Sequence, residues 1–342
     1  MKPLVLLGAP RPVGGACTEA GDTALLWRKM GLDVTVLPAS PEPPSNPWPQ
    51  RLKDAGCNVV APLTNHTLPP WLKDAIVVDF QCRRAVEVWP ELRRRGCKLV
   101  HLPTHNVTME FEHATFRQWP PTAVVFESKF QMQTIGAQYS FYGVPSERQR
   151  MIHGAFDVEA FPYAPCPRPN GHFVVGCIAR DDPKKWPRRL VSVLEAVRAK
   201  VPKLHGHFLG WTPAMLPHSG PLPPWIGHSA PGSIPARDFL SECHALLCLP
   251  TCLENWPRVT LEAMSSGVPI IAMKLGGFTE QLSDATAILV SNAQQAIDGL
   301  LRLATDEPYR LQLAESGRRS LDCLADPEAI GAAWKELLGI LA

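Results

Sequence analysis

The feature that most constrains this chain is a recurring sequence of short apolar runs, each closed by a glycine or polar loop and followed by a helical pattern. PLVLLGA (3–9) is followed by Gly14 and Gly15. CTEAGDTALLWRKMG (17–31) then carries a helical stripe to a glycine stop, and DVTVLPA (33–39) is the next run. Strand, glycine turn, helix and strand make a βαβ unit, the seed of a parallel sheet. Further runs fall at CNVVAP (57–62), AIVVDF (75–80), KLVHLP (98–103) and TAVVFES (122–128). They are continuously apolar, as strands covered by helices on both faces must be.

A second series starts near residue 173. HFVVGCIAR, KLHGHFLGW, ALLCLPT and VPIIAMK read as strands, while PRRLVSVLEAVRAKVP, ARDFLSECH and RVTLEAMSSG read as helices. The expected architecture is α/β with two Rossmann-like doubly wound halves. The N-terminal one spans 1–165 and the C-terminal one 166–325, joined by a proline-rich linker around 162–170. DPEAIGAAWKELLGILA (326–342) is expected as a terminal helix packing back toward the N-terminal half, with an Asp cap and Pro at its first position. PASPEPPSNPWP (38–49) and PHSGPLPPWIG (217–227) read as loops.

With 342 residues, 45% of them hydrophobic, the chain can bury two cores. A formal net charge of +2 supplies no general field for nucleic acid, so any anion must be held by local arrangement. The ten cysteines include no CxxC pair. They read as small buried hydrophobes in a reducing cytoplasm, not as disulfides or a zinc site, and no metal or cofactor is expected. The N-terminal apolar run breaks too soon for a signal peptide, and no stretch reaches the ~20 residues of a membrane helix.

ENWPRVTLEAMSSGVPIIA (254–272) sets two carboxylates, Glu254 and Glu262, about a helix start with Arg258 between them. Pro257 fits the first helical position, and the amides of Arg258 and Val259 would point out of the helix tip toward an anion. Two carboxylates flanking such an anion suit a guest with hydroxyls on either side, as in a nucleoside diphosphate sugar. Ligands of open α/β sheets bind at the carboxyl ends of strands. Arg180, Lys185, Glu254, Gly276 and Gly277 fall there in the second half, and Gly14, Gly15 and His105 in the first.

These residues resemble the family 4 retaining glycosyltransferases with the GT-B architecture, two Rossmann-like domains facing a central cleft. The E-x7-E element runs from Glu254 to Glu262 within LPTCLENWPRVTLEAMSSGVPIIAMKLGGFTEQL. An R-x4-K element, VVGCIARDDPKK, supplies Arg180 and Lys185, and HGAFDVEAFP (153–162) resembles the interdomain signature. The resemblance is clearest over 150–292. It implies that Glu262 holds ribose hydroxyls and Glu254 hexose hydroxyls. Arg180 and Lys185, with the amides near Arg258 and Val259, would stabilise the departing diphosphate without a divalent metal. His105 matches a histidine near the sugar and acceptor, and Gly14, Gly15, Gly276 and Gly277 match donor-binding loops. Three departures stand out: Asn255-Trp256-Pro257 replaces an aromatic-glycine pair, Trp186 follows Lys185 where glycine is usual, and SDATAILV replaces a glycine-rich segment.

The implied function is a metal-independent, retaining hexosyl transfer from a nucleotide sugar to an unidentified glycan, lipid-linked or protein acceptor. A sugar-nucleotide epimerase on the same architecture and a non-catalytic nucleotide-sugar-binding protein are the rivals. An α-glucan phosphorylase would need more chain. Several plainer readings stand beside these. Glu254 can be a helix cap, Glu262 a solvated helix residue, and Arg180 and Lys185 surface charges with Lys184 the better-placed partner. His101 or His153 can replace His105 as the site histidine, and Gly14 and Gly15 can serve only their turn. RRRGCK (93–98) reads as a solvated helix end or as a patch for peripheral contact with an anionic membrane or lipid-linked acceptor.

Overall fold

The computed structural model describes residues 2–64, 67–167 and 171–342, so the last three residues of the expected linker lie outside the described residues. The chain divides into two compact units, residues 1–156 together with 326–342, and residues 157–325.

The first unit is built on seven strands: β1 (Leu4–Gly8), β2 (Val34–Pro38), β3 (Asn58–Val59), β4 (Ile76–Asp79), β5 (Lys98–His101), β6 (Ala123–Phe126) and β7 (Gln149–Met151). They lie in the order β3-β2-β1-β4-β5-β6-β7, with every pair parallel. Side chains alternate across the sheet. Leu4 and Leu6 therefore join a core with Trp27 and Trp334 on one face, while Val5 and Leu7 join Trp89, Phe116 and Tyr139 on the other. Both faces are covered, which is why β1 has no polar position.

The helix Pro327–Leu341 belongs to this first unit. Asp326 caps it by accepting from Glu328 N at 2.9 Å. Trp334 meets Trp27 edge-on at 5.0 Å between ring centroids. Leu337, Leu338 and Leu341 are buried with it. At about 1.5–3 kcal/mol for each such side chain removed from water, this stripe is what attaches the helix.

The second unit has six strands: β8 (Phe173–Ile178), β9 (Leu204–Leu209), β10 (Ile226–Ser229), β11 (Ala245–Cys248), β12 (Ile270–Met273) and β13 (Ile288–Val290). Their order is β10-β9-β8-β11-β12-β13, again all parallel. β10 starts inside the stretch expected as loop. The proline run ends at Pro224, and Trp225 O then accepts from Gly206 N at 3.1 Å, starting an edge strand that pairs with β9 alone. No helix is long and apolar enough to cross a membrane, among the described residues.

Candidate functional site

Each sheet reverses its strand order once, between β1 and β4 in the first and between β8 and β11 in the second. At such a reversal the loops leaving the carboxyl ends diverge and leave a crevice. In the second unit the loops concerned are those after β8, carrying Arg180 and Lys185, and after β11, carrying Glu254.

Backbone contacts hold these two loops together. Thr251 donates to Lys184 O twice, from its amide at 2.8 Å and its hydroxyl at 3.0 Å. Trp186 is fully buried, lies 5.2 Å from the Phe208 ring, and donates its indole N–H to Arg180 O at 2.8 Å. The tryptophan standing where a glycine is usual therefore closes the 180–186 turn from inside. Asp182 accepts from Lys184 N at 3.0 Å and lies 3.8 Å from the half-exposed Arg180 guanidinium. Lys184 itself is exposed. The Lys185 ammonium contacts Glu254 Oε1, with both side chains less than one-fifth exposed. Burial pulls the Lys185 pKa below the usual lysine value; Arg180 pulls the same way, while Cys252 and Asp182 oppose.

The loop after β12 fixes Glu254 from a third side. Gly277 N donates to Glu254 O at 2.7 Å, and a Cβ on Gly277 would fall 1.7 Å from Asn255 O. Only glycine allows that approach. Its neighbour Gly276 has φ +57°, in the left-handed region. Asn255, noted in the sequence only as part of the Asn255-Trp256-Pro257 departure and given no role there, is 6% exposed, and neither of its side-chain amide atoms has a hydrogen-bond partner among the described residues.

The helix Arg258–Ser266 starts one residue later than expected. Pro257 has ψ 110°, an extended value, so it is the cap and not the first helical residue. Thr260 N returns to Pro257 O at 3.2 Å, leaving the amides of Arg258 and Val259 at the tip. The Arg258 side chain is buried, so this residue offers its backbone. Glu262 lies one turn further in and is half-buried.

In the first unit, Gly14 caps the helix Gly15–Lys29 with φ +97°. Its carbonyl accepts from Thr18 N at 3.1 Å. His105 follows β5 and is partly buried, with Nδ1 2.8 Å from Gln81 Oε1. His101 is a core residue, fully buried, with Nδ1 2.7 Å from Asp79 Oδ2 and Nε2 3.3 Å from Glu112 Oε1. Burial opposes its charge, but Asp79 and Glu112 overcome that and raise it to about 9. His153 Nδ1 lies 2.7 Å from Glu127 O. In the 93–98 run, Arg93 donates to Thr122 Oγ1 at 2.9 Å and Arg95 to Glu91 Oε1 at 2.9 Å.

Two units, each a doubly wound parallel sheet, define the GT-B fold. Residues 166–320, within the second unit, match the family described as Glycosyl transferases group 1. A 74-residue segment is 32% identical to the D-inositol 3-phosphate glycosyltransferase of Corynebacterium aurimucosum. That segment spans 21% of this chain and 18% of the relative. The HepE protein of Anabaena, solved with UDP and glucose, superposes with a TM-score of 0.75 at 17% identity, covering 99% of this chain and 100% of HepE. The sucrose-phosphate synthase of Thermosynechococcus elongatus gives 0.73 at 16% identity, covering 100% and 99%.

Proposed function

We propose that the chain is a retaining, metal-independent glycosyltransferase of the family 4 type that uses a nucleotide-sugar donor. The observation that carries this reading is the contact of Lys185 with Glu254, which joins the loops after β8 and β11 at the strand-order reversal of the unit that matches the group 1 family. Breaking the anomeric C–O bond leaves charge on a phosphate oxygen. Two cations and a helix tip stabilise that charge in place of a divalent ion. The Lys185 ammonium contacts the Glu254 carboxylate. A bound diphosphate competes for it, which frees the Glu254 carboxylate to accept from hexose hydroxyls, while Glu262 accepts from the ribose. His105 contributes a ring nitrogen to a sugar hydroxyl. We read the ten cysteines, which include no CxxC pair, as belonging to a reducing, cytoplasmic setting.

The test begins with a thermal-shift panel of UDP-, GDP- and ADP-sugars, in which the true donor raises the melting temperature. Slow hydrolysis of that donor is expected to survive EDTA and to vanish in Glu262→Ala and Lys185→Ala. Binding without turnover under every acceptor tried identifies a binding protein, and interconversion of the donor sugar without acceptor identifies an epimerase. Activity lost on chelation and restored by manganese refutes the charge scheme.

A further inference from the structure

Gln81 follows β4 and has φ +45°. Asp74 is the other non-glycine residue in that region among the described residues. L side chains rarely adopt this conformation, and where they do the surroundings hold them there. Here the surroundings are the side chain's own contacts. The Gln81 carboxamide oxygen faces three groups: Thr104 N at 2.6 Å, Thr104 Oγ1 at 3.1 Å and His105 Nδ1 at 2.8 Å. The Gln81 amide nitrogen donates to Glu112 Oε2 at 3.1 Å and reaches Val107 O at 3.5 Å.

Chemistry fixes which end of the amide is which. A backbone N–H only donates, so the atom facing Thr104 N must be oxygen, and the atom facing a carboxylate and a carbonyl must be the NH2. An amide oxygen only accepts, so His105 Nδ1 carries the hydrogen in its contact with Gln81. In the neutral ring Nε2 then holds the lone pair.

Behind Gln81 lies a buried frame. Glu112 Oε2 also accepts from Met109 N at 2.6 Å, and its other oxygen faces His101. Asp79 holds His101 from the opposite side and accepts from Cys82 N at 3.1 Å. Glu112 and His101 are fully buried and Asp79 nearly so. The frame therefore orients the Gln81 side chain, which with Thr104 Oγ1, 3.2 Å away, faces His105 Nδ1.

We propose that Gln81 is a positioning residue that locks His105 in its Nδ1–H tautomer and so presents Nε2 as the hydrogen-bond acceptor for a sugar hydroxyl. The catalytic part of this rests on the glycosyltransferase reading of His105; the tautomer part does not. A ring locked the other way would offer an N–H at that position and would meet a hydroxyl only as a donor.

Nitrogen-15 histidine spectra of the full chain test it, with the His105 ring assigned by its absence in His105→Gln. Wild type is expected to show His105 as the Nδ1–H tautomer. Gln81→Met, which keeps the shape and removes every hydrogen bond, is expected to give a mixed or Nε2–H ring. With the donor found above, its kcat falls about ten- to 100-fold while KM stays within about twofold, the loss typical of removing a group that orients a reacting one. Gln81→Glu retains an oxygen opposite Nδ1 and, with its other oxygen protonated against Glu112 Oε2, is expected to restore the tautomer and part of kcat. A wild-type ring protonated on Nε2 overturns the proposal whatever Gln81→Met does. So does an unchanged tautomer and kcat in Gln81→Met. If His105→Ala transfers sugar at the wild-type rate while the tautomer still follows Gln81, it is the reading of His105 that fails and not that of Gln81.

Discussion

Alkaline pH is expected to weaken the first unit through His101. Its imidazolium is fully buried between Asp79 and Glu112, and its pKa is about 9 against an ordinary value of about 6.5. Because the folded-state value is the higher one, the stabilisation is complete below about pH 6.5 and is lost as pH rises through 9. The gap corresponds to about 3 kcal/mol, most of it still present at pH 7. For a unit of this size that is a fall in melting temperature of roughly 5–10 °C between pH 7 and pH 10. Calorimetry across that range measures it. Lysines, tyrosines and cysteines also titrate there, so the comparison that isolates His101 is with Glu112→Gln. With one carboxylate gone, the imidazolium loses its proton more readily and the decline begins at lower pH. Identical decline curves for wild type and Glu112→Gln between pH 8 and 10 refute the reasoning.

Three substitutions probe the rest. Trp186→Phe keeps the ring against Phe208 but removes the bond to Arg180 O; stability should fall by about 1 kcal/mol and affinity for the donor identified by the thermal-shift panel should drop, read by calorimetry and titration. Gly277→Ala forces a methyl group against Asn255 O; a cost of about 1–3 kcal/mol and loss of the donor-induced thermal shift are expected. Trp334→Ala opens a cavity against Trp27 and should cost the first unit about 3–5 kcal/mol while leaving the second unit's melting transition in place.

The strands buried on both faces were legible because burial dictates their composition: β1, β4, β6 and β11 lie within the apolar runs. β10 was hidden behind its prolines, and β3, expected over 57–62, shrinks to two residues, because an edge strand needs few apolar side chains. Spacing singled out Lys185 and Glu254 separately, yet not that their charged ends meet, since that contact depends on Thr251 tying two loops distant in sequence. Pro257 was expected one position too deep because the sequence does not reveal its ψ. Gln81 left no signal, because nothing in its residue type announces a positive φ. Asn255 was likewise invisible as a buried amide without partners, its burial being set by the glycine loop after β12.

The helix Pro327–Leu341 gives the chain an order of assembly. Its apolar side chains complete the core around Trp27, yet the whole second unit lies between them in sequence. During synthesis the second unit leaves the ribosome with all its strands in hand, while the first waits with one side of its core uncovered. The half that is made first is therefore finished last, and until the closing helix arrives its bare tryptophan face is the nascent chain's exposure to misassociation and to chaperones.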